Sequence, residues 1–262
     1  MKKRILGAFI LVVLLVPALI IGGRLFKVVA SLIAFGATYE LIKTTTKKTS
    51  KLIYLLSFIY VFSFMHFHFV KTLINFESLT MEGLCMFMLV SMLFLSLFLK
   101  DKYGANDALK VIGIILFLSY SFNSIMNIYN ESILQLIFIV LIATMTDIFA
   151  LFGGMLIGKH KLTSISPKKT IEGSIVGLVV CTMVCTTYYL IAINNDIGLK
   201  VIPVIVILSI AGQLGDLFFS LIKRENDIKD YSNLIPGHGG ILDRFDSLIF
   251  IALAYNFILT LF

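Results

Sequence analysis

The chain has 262 residues, 59% of them hydrophobic and 14% charged, with a formal charge of +7 and a mean hydropathy of +1.00. Ordinary soluble domains sit nearer ~45–50% apolar and ~25% charged, so a water-soluble globule, a disordered chain and a disulfide scaffold are excluded. The apolar excess falls in long runs and predicts an all-α, polytopic integral membrane protein.

A helix needs about 20 apolar residues to cross the hydrocarbon core. Runs of that kind lie near 5–21, 25–42, 52–70, 84–99, 107–122, 132–152, 174–193, 201–219 and 247–262, nine expected spans. The first follows Met1-Lys2-Lys3-Arg4 but lacks a small-x-small cleavage site, and reads as an anchor rather than a signal peptide. In the third, His66 and His68 are two residues apart, so on a helix they point to different sides and make a poor metal pair. Cys85, Cys181 and Cys185 all lie in apolar runs and form no C-x-x-C pair. They read as small buried hydrophobes.

An ionisable residue within a span is a functional hypothesis by default. Asp147 stands in IATMTDIFALFGG, near the end of the sixth run. The loop that follows, 153–173, contains Ser166-Pro167-Lys168-Lys169. Ser166 before Pro167 predicts a helix start, which would put Lys168 and Lys169 at its positive end as an anion site. His160, between two lysines, reads as a solvated loop residue. Ser174 and Gly177 begin a small-residue face on the next span.

Asp216 lies in ILSIAGQLGDLFFS. Helical spacing lines it up with Ser220, Lys223 and Arg224, and Gly212 extends the stripe one turn back, where another helix can approach. A carboxylate, a hydroxyl and two cations on one stripe suit a metal ion with phosphates better than a transported solute. The loop 220–246 then carries Pro236-Gly237-His238-Gly239-Gly240, which cannot be regular helix. Such glycines let backbone N–H groups approach a phosphate. Asp243 and Asp246 follow at i, i+3 spacing with Arg244 between them, leading into the last run.

The basic residues order these runs across the membrane. The N-terminus and the loops at 43–51, 100–106, 153–173 and 220–246 hold 17 of the 22 Lys and Arg. Positive loops stay in the cytoplasm, so the N-terminus and both long polar loops are expected there, with the C-terminus outside. The same bias accounts for the net positive charge without nucleic acid. Residues 1–130 read as a hydrophobic multi-span region and 131–262 as the membrane region that carries both long loops, where any chemistry is expected.

Residues 220–246, SLIKRENDIKDYSNLIPGHGGILDRFD, resemble the signature of the phosphatidate cytidylyltransferases, the CDP-diacylglycerol synthases, along their entire length. Ser166-Pro167-Lys168-Lys169-Thr170 with Glu172-Gly173 resembles that family's second motif. The resemblance is specific over roughly 145–250. It implies a cell-membrane enzyme that joins CTP to phosphatidic acid, giving CDP-diacylglycerol and pyrophosphate. It also implies Mg²⁺, with K⁺ as a helper in some members, and a homodimer.

Carried onto this chain, the metal ligands are expected at Asp216, Asp243 and Asp246. Lys223, Arg224 and Lys229 are expected to hold the pyrophosphate and the lipid phosphate, and Arg244 to do the same or to fix an Asp. His238 is either a phosphate donor or a partner of a ligand. Ser166, Lys168, Lys169, Ser220, Gly239 and Gly240 complete the substrate-binding set. Two other readings stay open: another CTP-using lipid enzyme, such as a polyprenol kinase or an ether-lipid cytidylyltransferase, and an ion-coupled transporter with Asp147 and Asp216 at mid-bilayer.

Overall fold

The computed structural model describes residues 13, 15–46, 49–100, 102–193, 198–237 and 239–260. Among them there is no strand, only two isolated bridges in loops. The helices are α1 (Gly23–Thr45), α2 (Lys51–Met65), α3 (Phe67–Leu73), α4 (Met81–Phe98), α5 (Ala105–Glu131), α6 (Ile133–Ile157), α7 (Ile171–Tyr188), α8 (Val201–Glu225) and α9 (Leu242–Leu259). A π turn, Tyr189–Ile193, prolongs α7, and a 3₁₀ turn, Gly198–Lys200, precedes α8. Helix is what such runs must form, because hydrocarbon offers no water to a bare N–H or C=O.

Six helical segments among the described residues are long and apolar enough to cross a membrane, and seven if the bent pair α2–α3 counts as one span. The run expected as a span at 52–70 consists of two helices, with a bend of 102° at their junction. His66 sits at the break with φ −117° and ψ 41°, outside the helical region. Its Nε2 lies 2.8 Å from Ser31 Oγ on α1, which ties down the corner. The first expected run, 5–21, lies mostly outside the described residues. Its described part, 15–21, is helical up to Gly22.

The chain forms two compact units, Met1–Asn123 with Asp230–Asp243, and Ser124–Lys229 with Arg244–Phe262. In the first, Ala30, Ala34 and Ala37 bury a small-residue stripe of α1. Phe35 packs on Phe58 and Tyr39 on Tyr54 across α1 and α2. The Lys110 ammonium donates to the Thr45 carbonyl, covering an open acceptor at the end of α1.

The second unit is built on backbone approach. A Cβ at Gly177 would stand 2.7 Å from the Thr146 carbonyl oxygen, and one at Gly173 2.5 Å from that of Ala150, so α6 and α7 touch main chain to main chain. Small residues at helix interfaces allow such packing, which in lipid must replace the hydrophobic effect. Gly212 and Gly215 admit Ile251 and Phe250 of α9 against α8 in the same way. Phe138 fills the middle, against Tyr189 and Tyr255. Cys181 and Cys185 are buried free thiols, their sulfurs 3.8 Å apart.

Candidate active site

These close approaches bring carboxylates from three helices of the second unit into one electrostatic neighbourhood. Asp147 on α6, Asp216 on α8 and Asp246 on α9 each feel another's charge, and Lys169 and Lys223 offset it. The Lys169 ammonium donates to Asp216 Oδ2, and the Ser220 hydroxyl to Asp216 Oδ1 at 3.4 Å. Ser247 serves the other two acids: its hydroxyl donates to Asp147 Oδ2 at 3.4 Å and its N–H to Asp246 Oδ1 at 2.8 Å. Asp147 is exposed, Asp216 and Asp246 are partly buried, and Lys223 is buried.

The stripe read from the sequence is thus real for Asp216 and Ser220. Arg224 turns away from the acids, and its guanidinium donates to the Ile228 carbonyl at 3.1 Å as the chain leaves α8. Lys229 and Arg244 are exposed.

The 153–173 loop departs from expectation at one point. Ser166-Pro167 does not start a helix. Thr170 is the N-cap of α7, and its hydroxyl accepts the Gly173 N–H at 3.1 Å. Thr suits that position because its oxygen satisfies one of the first four unbonded N–H groups. Lys168 and Lys169 therefore precede the cap, in a short hairpin. There the Leu162 N–H donates to the Lys169 carbonyl, and the Ile171 N–H to that of His160, both at 2.9 Å. The Ser166 carbonyl accepts the Lys169 N–H, so this residue shapes the turn through its backbone.

His160 is not merely solvated. Its Nδ1 lies 2.6 Å from Glu172 Oε1, and the Glu172 carboxylate also accepts the N–H groups of Lys159 and His160. The hairpin so fastened directs Lys169 to Asp216 and leaves Lys168 exposed.

In the first unit, the glycine-rich loop is organised by two carboxylates. Glu40, 1% exposed near the end of α1, accepts the N–H groups of Ile241 and Leu242 at 2.9 Å each and the Ser232 hydroxyl. Asp243 Oδ2 accepts the N–H of Tyr231 at 3.0 Å and that of Gly240 at 2.9 Å. Gly239 has φ +85°, where a side chain would be strained. A Cβ on Gly240 would meet the Glu40 carboxylate at 2.5 Å. The Gly240 N–H, part of the Pro236–Gly240 run read from the sequence as a phosphate cradle, and the N–H groups of Ile241 and Leu242 beyond it are thus engaged by the protein's own acids. His238 lies outside the described residues.

The family model described as "Cytidylyltransferase family" matches residues 2–262. The chain belongs to that family. It is similar to the "Phosphatidate cytidylyltransferase" of Staphylococcus saprophyticus, 33% identical over 261 residues and 99% of each chain. The protein of the same name from Staphylococcus haemolyticus is 32% identical over the same coverage. That of Bacillus subtilis is 28% identical over 269 residues, covering all of this chain and 98% of its own.

Among the described residues, no three His, Cys, Asp or Glu side chains form a metal-holding group. That does not argue against a hard ion such as Mg²⁺, which takes one or two protein carboxylates and keeps the rest of its shell for water and phosphate oxygens. Carboxylates in mutual electrostatic reach are the right donor chemistry for it.

Two residues, Glu40 in the first unit and Ser247 in the second, were not read from the sequence as functional. Glu40 carried a signal that was available, a lone acid in an otherwise apolar run. Ser247 carried none, because a serine in a helix is ordinary.

Proposed function

We propose that the protein transfers the cytidylyl group of CTP to phosphatidic acid. A phosphate oxygen of the lipid attacks the α-phosphorus of CTP. The bond from that phosphorus to the α,β-bridging oxygen breaks, and pyrophosphate leaves. The reading is carried by the Asp147, Asp216, Asp246, Lys169 and Lys223 constellation, in a chain similar over nearly its whole length to proteins named for this activity. Both reactants are anions, so the protein's task is positioning and charge neutralisation. The lipid phosphate is already ionised near neutral pH and needs no general base.

Mg²⁺, when bound, would neutralise the triphosphate and align it for in-line attack. Asp216 and Asp246 would hold it, with Asp147 adding charge beside them. Asp243 belongs to that ligand set on the motif resemblance alone. Lys169 and Lys223, the cations beside these acids, would take phosphate oxygens of the substrates. Lys168, Arg224, Lys229 and Arg244 would supply attraction at the rim. The glycines at 239 and 240 keep the loop compact enough for Glu40 and Asp243 to hold it. The homodimer implied by the resemblance is retained.

Nine spans with a cytoplasmic N-terminus remain the proposed topology. The seven described candidates, the run at 5–21 and α9, with its charged first turns, make up that number. This orientation puts both polar loops where CTP is.

The deciding experiment incubates purified protein with phosphatidic acid, CTP and Mg²⁺ and weighs both products. CDP-diacylglycerol with pyrophosphate supports the proposal. A phosphorylated lipid with CDP would make the protein a kinase instead.

A further inference from the structure

The second unit carries a groove of about 230 Å³ between the first two turns of α7 and the facing turns of α8. Ile175 and Leu178 line it from α7, Ile210, Leu214 and Leu217 from α8, and Leu162 closes it from the hairpin. For comparison, an apolar cavity of ~150 Å³ already takes up benzene. Ile175 and Leu214 are each 58% exposed, on candidate membrane spans, so the groove is open on the side where lipid would lie.

Two observations separate this groove from an ordinary lipid-facing seam. The first is a polar pair in an apolar wall. The Ser174 hydroxyl donates to Gln213 Oε1, and Gln213 Nε2 reaches the Ser174 carbonyl at 3.4 Å. A primary amide has two N–H donors, and the contacts among the described residues use one. A spare donor on the lining of a groove open to lipid is costly unless something polar meets it.

The second is continuity with charge. Leu217 follows Asp216 in the chain, Gln213 precedes it by one helical turn, and Leu162 is hydrogen-bonded to the backbone of Lys169. The groove therefore ends beside the Lys169–Asp216 ion pair.

An apolar trough, then an amide donor, then an ammonium is the order of groups that an acyl chain, its ester carbonyl and a phosphate would meet. We propose that this groove seats one acyl chain of the phosphatidic acid substrate, with the Gln213 amide donating to the ester carbonyl. The inference rests on the proposed reaction for the identity of the lipid. It makes chain length a property read by α7 and α8.

The test has two arms. Ile210→Phe and Leu214→Phe fill the trough from positions exposed to lipid, where folding tolerates a larger side chain. Each should lower kcat/KM for dipalmitoyl relative to dioctanoyl phosphatidic acid by about tenfold or more, the scale of a few misfitted methylenes, with KM for CTP unchanged. An unchanged ratio would overturn the groove.

In the second arm, phosphatidic acid with a diazirine in its acyl chain is photolysed on the wild-type protein. Labelling should concentrate on residues 171–178 and 210–217 and be competed by unlabelled phosphatidic acid. Labelling elsewhere, or equal labelling by a phosphatidylcholine probe, would show bulk lipid contact only and overturn the proposal. If the wild type labels at these positions yet forms no CDP-lipid, the reaction falls and the lipid groove stands.

Discussion

At the residue scale the three acids are not equivalent. Asp216 is held by Lys169 and Ser220, whereas Asp147 stands exposed and, among the described residues, receives one long hydroxyl bond. Asp216→Asn and Asp246→Asn should each cut turnover by ~100-fold or more, the order of losing one group that stabilises transition-state charge. Asp147→Asn should leave most of the turnover at saturating Mg²⁺ and raise the Mg²⁺ concentration needed for half-maximal rate. A Mg²⁺ titration of each variant in mixed micelles reads both effects. Glu40 makes a different kind of case. It receives two N–H groups and a hydroxyl while buried, and hydrogen bonds to a charged group contribute about 1.5–3 kcal/mol each. Glu40→Gln keeps the shape but offers a neutral oxygen and a misplaced donor. It should lower Tm in detergent by several degrees and depress kcat. Normal melting and turnover would remove its anchoring role.

At the element scale the useful comparison is Lys168 with Lys169. Neighbours in a motif look interchangeable in sequence, but the Thr170 cap and the hairpin before it give them opposite surroundings. Lys169→Ala should reduce kcat, because it removes a cation proposed to take a phosphate oxygen whose charge changes during the reaction. Lys168→Ala should chiefly raise KM for CTP, as expected of a group that binds ground state and transition state alike. Steady-state kinetics with each substrate varied separately distinguishes them. The same loop shows what was legible beforehand. Helices were readable because apolar runs in lipid have one way to satisfy their backbone, and the close approach at Gly212 followed from its place on the stripe with Asp216. The start of α7 was misplaced because Ser166-Pro167 and Thr170 are both plausible caps. The choice was made by Glu172 bonding back to residues 159 and 160, a loop contact invisible to local pattern. The bend at His66 and the Glu40 clamp depend on partners 35 and about 200 positions away, beyond the reach of periodicity.

At the scale of the whole molecule, the orientation is the prediction with the widest reach. A cysteine at Asn233, exposed in the glycine-rich loop, should react with a membrane-impermeant thiol reagent in inverted vesicles and resist it in intact cells. The opposite pattern would put the loop on the side without CTP and defeat the proposed topology. The chain's path also has a consequence for its birth. Glu40 finds its donors at residues 232, 241 and 242, so the interval between making the acid and making its partners is about 190–200 residues of synthesis. At ~5–20 residues per second that is roughly 10–40 s. During this time α1 has emerged with its carboxylate and the rest of the first unit has nothing to close it. A nascent chain halted before residue 232 should therefore hold α1 open to protease near Glu40, and release from the ribosome should be the event that locks it.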